Sequence, residues 1–187
     1  MDKTDRKILD ILQRDASTTV VEIGRAVGLS ATPCWKRIQK LEAEGVIRKR
    51  VTLLAREKLG LGVTVQVFVQ AGDHAPEAVG AFVDKVSAMP EVIEFHRLAG
   101  DFDFMLRVVA VDVRHYDAIY QKLTSLMALR RVSSYFELAQ LKSETALPLG
   151  LSAPALAASV STEIRGAANG SLWRAERSHP APPQRLG

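Results

Sequence analysis

The stretch SATPCWKRIQKLEAEGVI, residues 30–47, decides the fold. Its apolar side chains Cys34, Ile38 and Leu41 are spaced four and three apart, so they share one face of a helix, and that is the face to bury. The other side carries Thr32, Trp35, Lys36, Gln39 and Lys40, with Arg37 on a flank. Cations, amides and an aromatic replace the Glu–Lys pairs of an ordinary solvated surface, which suits a surface that meets an anion. Ser30 offers an N-cap, Pro33 falls in the first turn where its missing N–H costs nothing, and Gly45 can end the helix.

Upstream, Ile8, Ile11 and Leu12 define a first amphipathic helix over about Asp5 to Leu12. Thr19 and Glu22 have the spacing of a capping box, and Ile23, Ala26 and Val27 supply the stripe of a short second helix. Only Gly28 and Leu29 separate it from the helix near Ser30, so the last two helices form a helix-turn-helix. Past Gly45, Val46 to Leu54 reads as a β-strand or small wing bearing Arg48, Lys49 and Arg50. Such a triplet alone suits a solvated edge strand; beside a basic helix it supplies phosphate donors from a second element.

Lys58 to Gly62 reads as a hinge. Val63, Val65, Val67 and Val69 then alternate with polar residues, which predicts a strand. Helical spacing follows from Pro76 to Pro90, then strands over Val92 to Leu98 and Phe102 to Ala110 around a Gly100-Asp101 turn. A helix through Tyr116, Ile119, Tyr120, Leu123 and Met127 and a strand from Val132 to Leu141 complete a βαββαβ order. The fold class expected is therefore α+β, an N-terminal winged helix-turn-helix over 1–60 followed by a ferredoxin-like domain over 61–148. Residues 149–187, rich in Ala, Ser, Pro, Gly and Arg, are expected to be a disordered tail, with Trp173 a weak anchor.

Charge divides along the same lines. Residues 1–60 carry net +5, 61–147 net −3 and 148–187 net +2, so a polyanion is expected to meet the first part. The one cysteine, Cys34, cannot make an internal disulfide and reads as a packing residue. No apolar run reaches the length of a membrane span and the N-terminus lacks a signal-peptide core, so a cytoplasmic protein without membrane contact is expected. The scattered His74, His96, His115 and His179 have no metal-ligand spacing, and no phosphate loop or nucleophile elbow accompanies them. Catalysis, metal and cofactor are therefore not expected.

The ordered set Asp2, Asp5, Ile8, Leu9; Val27 to Ser30; Arg37, Ile38, Leu41, Glu42, Gly45 to Ile47; Pro90 to Val92; Gly100 to Asp103; and Lys142 to Pro148 resembles the Lrp/AsnC, or feast/famine, regulators. The likeness runs over about residues 1 to 148. Within that family, the segment Thr32 to Arg37, the Lys58 to Gly62 hinge and Tyr116-Asp117 with Tyr120 are most similar to the cysteine-responsive regulators of cysteine detoxification. The resemblance implies DNA binding, a RAM- or ACT-like domain that senses a small amino-acid effector, and homodimers that pair through their sheets and assemble to octamers. It also implies an effector site between dimers, which carries over to Gly100, Asp101 and Asp103 and to Ser134 and Phe136. Where the family has Pro-Gly-Val before the last strand, Arg130-Arg131-Val132 stands here.

In this reading the helix near Ser30 enters the major groove, with Thr32, Trp35, Lys36 and Lys40 reaching bases or phosphates and Arg37, Arg48, Lys49 and Arg50 gripping the backbone. Competing roles are packing for Trp35 and an ion pair near Leu41-Glu42 for Arg37. Asp101 and Asp103 can serve as turn formers or hold an effector's ammonium. The alternative function is an architectural protein that covers DNA without sequence preference.

Overall fold

A computed structural model describes residues 1–150. The first three helices are α1 (Lys3–Arg14), α2 (Val20–Val27) and α3 (Ala31–Ala43). α1 starts earlier than the apolar spacing predicts, because Asp2 and Asp5 form a reciprocal capping box: each backbone N–H donates to the other's carboxylate at 2.8 Å. α2 begins at the expected Thr19–Glu22 box. Ser30 occupies the N-cap position of α3 without a side-chain cap bond. Ile8, Leu12, Ile23, Cys34 and Ile38 bury together as the core of this half, with Leu41 also buried.

The strand expected over Val46 to Leu54 does not form among the described residues. Gly45 turns left-handed at φ 70°, and the Val46 and Ile47 N–H groups both donate to Leu41 O, at 2.9 and 3.1 Å. The first residues of the expected strand thus close the end of α3, and those after them find no ladder partner. Val51, Leu53 and Leu54 are left exposed. A 3-10 turn, Arg56–Leu59, runs into the start of the expected hinge.

The second half runs β1 (Val63–Ala71), α4 (Pro76–Ser87), β2 (Val92–Arg97), β3 (Phe104–Ala110), α5 (Val113–Thr124) and β4 (Leu129–Phe136). The sheet has the order β2-β3-β1-β4 with every pair antiparallel, the ferredoxin-like arrangement. Val65, Val67 and Val69 of β1 are fully buried in one cluster with Phe82 and Val86 of α4 and with Tyr116, Ile119 and Leu123 of α5. Alternate residues Gln66 and Phe68 belong to the other face.

β4 starts and stops earlier than expected. Arg131 pairs with Gln70 as part of the strand. At the far end Phe136 pairs with Val65 and the Glu137 N–H reaches Thr64 O, after which β1 has almost no residues left to offer. The expectation of a disordered tail from 149 onward lies outside the described residues, apart from Leu149 and Gly150.

Candidate nucleic-acid interface and ligand site

Burying Cys34, Ile38 and Leu41 turns the opposite face of α3 outward. Thr32, Lys36 and Lys40 are exposed, and Trp35 is 51% exposed, so its indole does not pack into the helical core. Burial raises the Cys34 thiol above its ordinary range, which suits packing. Arg48 and Lys49 are also exposed, on the irregular segment past α3. The outward face therefore joins cations, a hydroxyl and an aromatic surface on a rigid helix, the donors that DNA backbone and base edges accept.

Three of the expected cations are engaged within the chain, Lys40 only loosely, with Glu44 one turn on at 3.7 Å. Arg50 Nη2 donates to Glu42 at 2.9 Å. Arg37 Nη1 donates to Asp2 Oδ2 and to Asp5 Oδ1, both at 2.7 Å, so its acids lie on α1 and not near Leu41-Glu42. The Asp5 N–H and then Arg37 hold the Asp2 carboxyl below the usual range. Burial raises Asp5, and the Asp2 N–H and Arg37 outweigh it.

The expected effector residues fall into two groups. Gly100, at φ 153°, and Asp101 are exposed in the turn between β2 and β3. Asp103 is tied to the end of β1: its carboxylate accepts from the Ala71 N–H and its own N–H donates to Val69 O, both at 2.9 Å. Ser134 and Phe136 belong instead to the helix side of β4, where Ser134 shares a hydrogen bond with the Tyr116 hydroxyl and the Phe136 ring meets Tyr116 edge-on at 5.3 Å. Burial raises the Tyr116 phenol. Val69 pairs with Phe104, Val67 with Ser134 and Val65 with Phe136, so these residues lie two and four positions along β1 from the turn. At a strand's rise that is roughly 7 and 13 Å, on the opposite side of β1 from β3. One chain does not bring the two groups into a single pocket.

Other residues matter that periodicity does not reveal. Asp2 and Asp5 have the spacing that marks the Thr19–Glu22 box, which is the signal that could have found them. Gly24 lies where α2 meets the turn: a Cβ there would stand 2.8 Å from Leu29 O. Glu137 gathers Gln66 at 2.8 Å, Arg107 at 3.3 Å and, from the linker, Arg56 at 3.5 Å. These are long-range meetings without a local pattern.

A helix-turn-helix with a cationic outward face, followed by a ferredoxin-like sheet with a carboxylate-bearing turn, defines a two-part DNA-binding regulator. Residues 1–42 match the AsnC-type helix-turn-helix domain and residues 64–147 the Lrp/AsnC ligand binding domain. The chain belongs to the Lrp/AsnC family of transcriptional regulators and is not an enzyme. It is 47% identical over 149 residues to the glutamate uptake regulatory protein of Zymomonas mobilis, covering 80% of this chain and 91% of that one. To the DNA-binding transcriptional activator DecR of Escherichia coli it is 41% identical over 150 residues, 80% of this chain and 99% of the other. An AsnC family regulator from Agrobacterium tumefaciens superposes with TM-score 0.77 at 48% identity, covering 80% and 98% of the two chains. A transcriptional regulator from Neisseria meningitidis in complex with L-Met gives 0.76 at 33% identity, covering 80% and 97%. No helix among the described residues is long and apolar enough to cross a membrane.

Proposed function

We propose that this regulator reads an operator through α3 and that a small amino acid changes its grip, with cysteine the first effector to test. The single observation that carries the DNA reading is the outward face of Thr32, Trp35, Lys36 and Lys40, backed by a buried Cys34, Ile38 and Leu41. Arg48 and Lys49 add phosphate donors beside it. Arg37 and Arg50, also expected to grip the backbone, have their guanidiniums already held by carboxylates. The amino-acid response draws on relatives: one was crystallised with L-Met and another is called a glutamate uptake regulator.

The effector would contact Gly100, Asp101 and Asp103 of one copy, with Ser134 and Phe136 supplied by another. Their separation within one chain supports a homodimer or larger assembly, up to an octamer, in the cytoplasm. The proposed division places DNA binding in 1–60, sensing and assembly in 61–148, and a tail in 149–187. By linkage, the effector alters operator affinity only as far as its own affinity differs between two arrangements of the assembly. Footprinting a promoter fragment against each amino acid in turn tests this. A bounded protected site that responds to one amino acid supports the reading; uniform coverage indifferent to all of them overturns it in favour of an architectural role. A response to another amino acid and not to cysteine removes cysteine alone.

A further inference from the structure

We propose that Arg37 is a positioning residue of the DNA-reading helix: it clamps the middle of α3 to the N-terminal cap of α1 and so sets the pose of Thr32, Trp35, Lys36 and Lys40. The inference rests on the reading that α3 enters the groove.

The observation is a complete assignment of donors. Asp2 Oδ1 accepts from the Asp5 N–H and Asp5 Oδ2 from the Asp2 N–H, each at 2.8 Å. The two remaining oxygens, Asp2 Oδ2 and Asp5 Oδ1, both accept from the one nitrogen Arg37 Nη1 at 2.7 Å. Four carboxylate oxygens thus have four bonds, two that start α1 and two that attach α3 to that start. An ordinary surface ion pair contributes little because both side chains wander. Here the cap has already fixed the acids, and the Asp5 side chain is only 14% exposed.

Ile8, Leu12, Cys34 and Ile38 also join the two helices, by apolar packing that sets how they cross from the buried side. The guanidinium adds directional hydrogen bonds at the groove-facing side. Arg37 also stands next to the groove-facing lysines, because Asp2, Asp5, Lys36, Arg37 and Lys40 line a single hollow.

The charges sharpen the case. Two carboxylates beside the DNA-facing lysines repel phosphate, and Arg37 neutralises only one of them. If the acids did nothing else, replacing one by an amide would tighten binding to every duplex. If they hold the reading helix, the same replacement weakens binding to the preferred sequence despite the gain in charge.

The test uses the full chain, a duplex that the wild type enriches from a random-sequence pool, and a scrambled duplex of the same composition. Affinities are measured over a range of salt, at a temperature where circular dichroism shows each variant folded. Asp5→Asn and Arg37→Gln are each expected to lose on the order of tenfold on the enriched duplex and little on the scrambled one. Their combination is expected to be no worse than the weaker single variant, and the salt slope to stay unchanged. Arg37→Lys, which keeps a cation for both acids, should recover part of the loss. A fall of about one in the salt slope for Arg37→Gln, with equal losses on both duplexes, makes Arg37 a phosphate contact and overturns the proposal. So does tighter binding of both duplexes by Asp5→Asn. If the wild type enriches no duplex, the DNA reading fails first and this inference with it.

Discussion

The side-chain amide of Gln13 on α1 holds the backbone of Leu147 at both of its polar groups: Nε2 donates to Leu147 O at 3.0 Å and Oε1 accepts from the Leu147 N–H at 2.8 Å. The pair mimics one rung of a ladder between residues 134 positions apart. It ties the chain that follows β4 to the first helix. Gln13→Ala removes both bonds from an exposed site, so global stability should fall by about 1 kcal/mol or less. Hydrogen exchange at the Leu147 amide should rise well beyond that. Unchanged protection there would show that the rung does not persist in solution.

Lys36 and Ile38 are two residues apart on α3 and should behave as opposites. Ile38 is 2% exposed, and Ile38→Ala should cost about 2–5 kcal/mol in urea unfolding. Lys36→Ala should leave stability within about 0.5 kcal/mol and lower the salt slope of DNA binding by roughly one. A stability loss at Lys36 as large as that at Ile38 would contradict the assignment of faces.

Gly24 is predicted to reject even a methyl group. A Cβ would stand 2.8 Å from Leu29 O and 3.4 Å from Ser30 O, both backbone atoms of the turn between α2 and α3. The Leu29 N–H also donates to Gly24 O at 2.8 Å, which keeps the turn close. Gly24→Ala should therefore destabilise by about 1–3 kcal/mol, visible as a lower urea midpoint. A higher midpoint, as expected for alanine in an uncrowded helix, would mean that the turn can retreat.

Acid should loosen the helical half through its caps. Asp2 is held low by the Asp5 N–H and then Arg37, and Glu22 by the Thr19 hydroxyl and then its N–H. A carboxyl lowered by folding contributes stability that is present above its unfolded value, about 4, and lost as pH falls through its folded value. Thermal midpoints should thus change little from about pH 7 to 5 through these groups and decline below about pH 4. Asp5→Asn should flatten part of that decline, since burial is outweighed there by the Asp2 N–H and Arg37. An identical acid profile in the variant would assign the decline to other acids.

What could be read in advance was local or periodic. Cys34, Ile38 and Leu41 announced a buried face, Thr19 and Glu22 a helix start, and the alternation at Val63 to Val69 a strand, because each pattern repeats within one turn or one pleat. The outward set Thr32, Trp35, Lys36 and Lys40 followed as the remainder of α3. Strand ends did not, since β4 stops where β1 runs out, and nothing in residues 137 to 141 encodes that. The expected wing failed for a related reason: Val46 and Ile47 look like strand residues, yet their N–H groups are consumed by Leu41 O. The acids of Arg37 lie 32 and 35 residues away, and sequence spacing offered nearer ones first. Splitting Gly100, Asp101 and Asp103 from Ser134 and Phe136 likewise required the register of the sheet.

Glu137 is one acid serving two arginines, Arg56 of the linker and Arg107 of β3. Each arginine also keeps an acid of its own, Glu57 for Arg56 at 3.0 Å and Glu94 for Arg107 at 3.2 Å. Losing Glu137 therefore cuts the tie between linker and sheet but leaves both cations paired, and losing either arginine leaves Glu137 with the other. Inheritance at this spot is accordingly permissive: any one of positions 56, 107 and 137 can drift without orphaning a half-buried charge.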